Sequence, residues 1–286
     1  ESYAIVPDYY NGILPKVVAK VGEKVKAGSV LMIDKNRPEI KFVSPVSGEV
    51  TAVNRGEKRK VLSIVVKPDA QIEYEEFGKK NVASLQGAEV KEVLLNAGMW
   101  PFIKQRPYDI VAAPLDTPRD IFVSAFYSAP LAPNFDFIVK GQEADFQTGL
   151  NALAKLTNGK VYVGVRSGSV VSGMKGVEIV EVEGPHPAAN VGVQINHIKP
   201  VNKGEVVWTV NPADVIVIGR LFNKGVADFS RMVAITGSET TERGYVKTIS
   251  GCTIKSLVNG KVLGQEHIRI ISGNVLTGTK VNMDGY

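Results

Sequence analysis

At 286 residues, 44% of them hydrophobic, the chain is long for a single core and reads as two or three domains. Its net charge is only +5, and its 34 basic residues are interleaved with 29 acidic ones, which argues against a nucleic-acid-binding face. The single cysteine, Cys252, excludes an internal disulfide and an iron–sulfur cluster, and the longest apolar runs, broken by Asp214, Gly219 and Arg220, fall short of the ~18 residues a membrane span needs.

A chain that opens on Glu1 rather than methionine, shows no signal peptide and stops at Tyr286 after a polar turn reads as a piece of a longer protein, truncated at both ends. From residue 13 to 67 short strands alternate with turns: Leu14 to Ala19, Val30 to Ile33, Ile40 to Val43, Glu49 to Val53 and Val61 to Val66. Val21-Gly22-x-x-Val25-x-x-Gly28 and Ser44-Pro45-Val46-Ser47-Gly48 place glycines where tight turns between such strands need them. This pattern resembles the barrel-sandwich hybrid of lipoyl and biotinyl carrier domains, and Asp34-Lys35 resembles their modified hairpin. The Lys35 to Pro45 hairpin is longer and carries Pro38, so Lys35 is expected to stay a free amine and the unit, residues 1–72, to serve as a docking module. Arg55, Lys58, Arg59 and Lys60 form a basic cluster on one of its loops.

Residues 68–80 are rich in acidic residues and read as a linker. The next unit, 73–228, alternates helices and strands. Val82, Leu85, Val90, Val93, Leu94 and Ala97 fall near helical spacing and stop at Gly98; Phe146, Leu150, Leu153 and Leu156 mark a second helix from Glu143. Ile121 to Phe126, Val161 to Val165, Val177 to Val182, Val206 to Val210 and Val215 to Ile218 read as strands, giving a Rossmann-like α/β layer with 121–126 in its interior. In such sheets a ligand meets the carboxyl ends of the strands, here Tyr127 to Asn134. Gly184 to Pro200, dense in small residues, is expected to lie against this layer. From 229 to 286, strands at Met232 to Thr236, Tyr245 to Thr248 and His267 to Ile271, with a short helix at Ile254 to Val258, predict a β-grasp unit of the soluble-ligand-binding type.

Chemistry-bearing motifs are missing. No two glycines stand one residue apart, so the G-x-G-x-x-G loop is absent, as are a Walker A loop and a G-x-S-x-G elbow. His186, His197 and His267 lack metal-ligand spacing, and no metal is expected. His186, between two prolines, is open to two roles, a binding residue or a hydrogen-bonded structural imidazole.

Taken in order, Asn54-Arg55-Gly56, Gly98-Met99-Trp100 with Arg106-Pro107, Ile121-Phe122-Val123-Ser124-Ala125 with Pro130-Leu131-Ala132, Gly184-Pro185-His186-Pro187-Ala188, Gly219-Arg220-Leu221-Phe222 and Ile271-Ser272-Gly273-Asn274 resemble the A-subunit family of the sodium-translocating NADH:quinone oxidoreductase. The resemblance implies a peripheral protein on the cytoplasmic side of the bacterial inner membrane, with the other subunits of the complex as partners. In the whole complex, NADH, FAD or FMN and ubiquinone are used for Na+ export. It implies that enzyme activity belongs to the assembly and that no residue of this chain is catalytic alone. The chain departs from the family at Phe126 to Ala129 and at Gln194 to His197. The family is itself similar to flavin-bearing NADH-dehydrogenase subunits of complex I and of ferredoxin-oxidising complexes, and a chain still binding flavin or NADH is the competing reading. Against it, the glycine-loop position reads Ala97-Gly98-Met99-Trp100-Pro101-Phe102 and the acidic position reads Ser124 to Pro130 without a glutamate. A degenerate site near Gly98, Trp100 and Tyr127, with no cofactor bound, is therefore expected, with His186, Arg55 and Arg59 as quinone or partner contacts.

Overall fold

In a computed structural model, residues 2–264 and 268–286 are described. The amino-terminal unit holds β1 (Tyr3–Ile5), β2 (Pro15–Val17), β3 (Lys24–Val25), β4 (Val30–Asp34), β5 (Lys41–Val43), β6 (Gly48–Arg55) and β7 (Val61–Pro68). They form two antiparallel sheets, β1-β7-β6-β3 and β2-β4-β5, and Leu31, Met32, Ile40, Val50, Ile64 and Val66 are fully buried between them. This is the sandwich expected from the glycine-punctuated strands. Its β4–β5 hairpin is held down. Buried Asp34 accepts hydrogen bonds from the Leu14 and Asn36 amides and from Arg37 Nε, and Arg37 in turn donates to the carbonyls of Gly12 and Val111. The tip carrying exposed Lys35 is thereby fastened to the neighbouring unit.

The α/β unit contains α1 (Gly87–Asn96), β8 (Lys104–Arg106), β9 (Ile110–Val111), β10 (Ile121–Ser124), α2 (Phe135–Val139), α3 (Glu143–Ala154), β11 (Val161–Val165), β12 (Glu178–Glu181), α4 (Val191–Ile198), β13 (Val207–Thr209) and α5 (Pro212–Lys224). Its sheet order is β12-β11-β10-β13-β8-β9; the first four strands run parallel and the last two add an antiparallel edge. Strand β10 lies inside, as its apolar run predicts. Side chains alternate across it: Ile121 and Val123 enter the core with Phe146 and Leu150 of α3, whereas Phe122 stacks on Tyr162 at 5.0 Å and packs with Ile195 of α4. Helices α3 and α5 cross closely enough that Gly149 meets the Val215 carbonyl and Gly219 meets the Asp145 carbonyl, where no Cβ would fit.

Two expectations are corrected. Val215 to Ile218 lie in α5, not in a strand. The run is apolar and β-branched, a pattern shared by buried strands and buried helices. Its ends decide the matter: Asn211 caps the first turn through the Ala213 amide, Pro212 occupies the first position, and Gly225 closes the helix in a left-handed conformation with φ 78°. Residues 68–80 are likewise no free linker. The Phe77 and Lys80 amides bond to the Gly225 and Phe222 carbonyls, and the Ala27 amide bonds to the Glu73 carbonyl.

The carboxyl-terminal unit has β14 (Ser230–Ile235), β15 (Gly244–Ile249), α6 (Ile254–Val258), β16 (Ile270–Ser272) and β17 (Thr279–Val281), the strands and helix of the β-grasp reading plus one further strand, and its two hairpins form separate antiparallel sheets among the described residues. His267, placed by the sequence at the head of a strand, lies outside the described residues. Arg220 of α5, only 4% exposed, joins this unit to the α/β unit.

Candidate functional site: the crevice beyond the parallel strands

The chain leaves β10 for β11 on one side, while β13 pairs on the other, so the crevice beyond the carboxyl ends of β10 and β13 is the topological switch point where α/β sheets take their ligands. In this chain the crevice holds Tyr127. Its hydroxyl donates to Asn211 Oδ1 at 3.3 Å, bridging the end of β10 to the cap of α5. Burial, and then the charge of Asp214, push the Tyr127 phenol up to about 12, so it is a neutral hydrogen-bond donor throughout the physiological range.

Charges from two units act on it, Asp214 of α5 and Arg231 of the carboxyl-terminal unit. Arg231 of β14 pairs with Asp214 at 2.9 Å. Lys104 of β8 sits over the ring of Tyr10 at 5.3 Å, and burial lowers its pKa. Tyr10, from the sandwich, is raised to about 12 by burial and then by Asp214. On the β11 side the Arg166 guanidinium lies 4.5 Å from the Phe126 ring and donates to the carbonyls of Val182 and Gly184. That places cation, aromatic ring and Gly-Pro loop in one stack. The Tyr127 hydroxyl bonds to Asn211 and Arg231 Nη2 to Asp214, whereas Arg231 Nε is buried without a hydrogen-bond partner.

Of the residues singled out in the sequence, Tyr127 lies in the crevice and His186 beside it: His186 Nδ1 is 3.0 Å from Ser128 Oγ, which also accepts from the Ala189 amide. Gly98 and Trp100 are elsewhere. Gly98, at φ 69°, presses against Val43 of the sandwich, and Trp100 is fully buried, donating through Nε1 to the Ala112 carbonyl and meeting Trp208 edge-on at 5.4 Å. Arg55 and Arg59 sit together on the exposed β6–β7 hairpin, where Arg55 Nη1 donates to the Arg59 carbonyl and the bond stays within the hairpin. Tyr10, Lys104, Arg166 and Arg231 escaped the sequence reading, and no spacing signal could have found them, because they lie on separate elements spread from the sandwich to the carboxyl-terminal hairpin. Among the described residues, no three His, Cys, Asp or Glu side chains cluster to hold a metal, and no helix is long and apolar enough to cross a membrane.

Residues 85–227 match the family described as the NqrA second alpha/beta domain; residues 1–69 match its N-terminal barrel-sandwich hybrid domain and 232–283 its C-terminal domain. The chain belongs to the NqrA family. It is 37% identical over 281 residues to the A subunit of the Na(+)-translocating NADH-quinone reductase of Photorhabdus laumondii, covering 97% of this chain and 63% of that protein. The corresponding NqrA protein of Hahella chejuensis is 38% identical, with 96% and 62% covered. The chain thus spans somewhat under two thirds of these NqrA relatives. An NAD+-reducing [NiFe]-hydrogenase structure aligns with 10% identity and a TM-score of 0.42, over 75% of this chain and 51% of that one.

Proposed function

We propose that this chain is the portion of a sodium-pumping NADH–quinone reductase's NqrA component that docks against the other subunits at the cytoplasmic face of the membrane, holds no redox cofactor of its own and offers His186 to quinone. NADH oxidation, flavin chemistry and ubiquinone reduction then belong to the assembly. What supports the reading is the Tyr127–Asn211 hydrogen bond, which ties the end of β10 to the cap of α5 at the switch point. The purified chain is therefore expected to be colourless and to show no saturable NADH binding at micromolar concentrations; flavin absorbance bands after gentle purification would overturn the reading.

The docking half rests on the β6–β7 hairpin. Gly56 and Lys60 close it by backbone bonding, and Lys58 and Arg59 adopt left-handed conformations that hold its basic side chains outward. Exposed charges of this kind contribute little to folding but steer and orient association. Arg55→Glu with Arg59→Glu is expected to leave the melting temperature unchanged and to weaken assembly on the order of tenfold, read by co-purification at rising salt. Wild-type assembly and quinone reduction in that variant would make the two arginines bystanders.

His186→Ala separates the quinone role from a structural one. Ser128 keeps its bond from Ala189 in this variant, so the loop retains a tether. A raised apparent KM for quinone in the assembled complex with melting preserved is expected. A lowered melting temperature with KM unchanged would return His186 to pinning its loop.

A further inference from the structure

We propose that the groove between α1 and the β4–β5 hairpin binds a small carboxylate with an apolar body. The groove is broadly open to solvent, measures about 590 Å³, within the few hundred to a thousand that small-molecule sites occupy, and lies where two units meet. Thr117 and Asn158, on its wall, precede β10 and β11, so it opens at the amino ends of the strands, away from the Tyr127 crevice.

Its chemistry sets the ligand class. The floor carries Leu95 and the 7%-exposed Leu156, which suit an apolar body. Lys91 of α1 and Lys155, just past α3, supply ammonium groups; each makes one hydrogen bond, to the carbonyls of Pro114 and Ala83, leaving further N–H donors for an anion. Across the groove, Lys41 bonds to Asn96 Oδ1. Against these three cations stand only Glu39 and Glu92, and none of the five takes part in an ion pair of 4 Å or less among the described residues. One positive charge is left over, which a monocarboxylate neutralises and a phosphate dianion overshoots. The first turn of α1, Gly87 and Ala88, borders the same end, and its positive pole is already met by Glu89, whose carboxylate accepts from the Gln86 amide. A ligand here touches both the sandwich hairpin and α1, and so clamps the two units together.

Benzoate is the probe, with inorganic phosphate as the charge without the body and benzyl alcohol as the body without the charge. Saturation-transfer NMR and thermal unfolding of the chain are expected to show saturable benzoate binding, with a Kd of about 1 mM, a raised melting temperature, and at least tenfold weaker binding of both controls. Lys91→Gln with Lys155→Gln is expected to weaken benzoate at least tenfold. Phosphate binding as tightly as benzoate, or unchanged benzoate binding in the double variant, would overturn the proposal. Should that variant not fold, amide shifts in the wild-type chain serve instead: perturbations confined to α1, residues 155–158 and residues 39–41 support the site, and perturbations confined to the Tyr127 crevice or the Arg55–Lys60 hairpin refute it.

Discussion

Replacing Arg220 with methionine is expected to destabilise the chain by about 3–5 kcal/mol, the range for removing one partner from a buried charge network. Arg220 is 4% exposed. Its Nη1 donates to the Asp228 and Ser230 carbonyls and to Ser230 Oγ at 2.9–3.0 Å, and Nη2 donates to Gln142 Oε1 at 2.6 Å. Asp145 and Asp228 supply the countercharge at 3.8 and 3.4 Å. Methionine fills similar volume without a single donor, so four acceptors lose their bonds at once, and the fork ties α5 to the start of α3 and to β14. Lysine should rescue only part of the loss, because one ammonium cannot span acceptors on both sides. Urea unfolding measures the effect, and a loss below about 1 kcal/mol would sink it.

The same network makes stability depend on pH. Burial alone would raise the Asp228 carboxyl, but bonds from the Ser230 hydroxyl and amide and the charge of Arg220 outweigh it and hold the group at about 2, below its ordinary 3.8. A depressed folded pKa contributes stability that is present above the unfolded value and lost as pH falls through the folded one. The stability gap between wild type and Arg220→Met should therefore be full at neutral pH and narrow between about pH 4 and pH 2.

Gly219→Ala is expected to cost about 2 kcal/mol, net of two opposing terms. A Cβ at this position would run into the Asp145 carbonyl and the Gly149 amide, both backbone, so no rotamer change relieves the overlap and α3 and α5 must move apart. Helix propensity favours alanine by about 1 kcal/mol. Overpacking a tight core costs about 1–3 kcal/mol and occasionally more, and where both obstructing groups are backbone atoms the upper end applies. Gly173→Ala, with open space around it and no left-handed backbone, should be near neutral. Equal stability of the two variants would refute the glycine-contact account of this crossing.

Local patterns specify the elements whose form depends on their own residues. Glycine-punctuated strands between residues 13 and 67, the 3.6-residue spacing of Phe146, Leu150 and Leu153, and the apolar run at 121–126 are of this kind, and all three stand in the fold. The order of short motifs also pointed to the family the chain belongs to. Packing between distant segments set the remainder. The Val215–Ile218 run is as apolar as a buried strand, and it became helical through Asn211 and Gly225 at its ends and through a crossing with Gly149 that no local pattern announces. Around Tyr127, Asp214 comes from a helix and Arg231 from the carboxyl-terminal hairpin, while Lys104 of an antiparallel edge strand covers Tyr10 of the sandwich. Tyr127 and Arg231 stand more than a hundred positions apart and share no periodicity, and only the packing of the α/β and carboxyl-terminal units brings that charge within reach of the phenol.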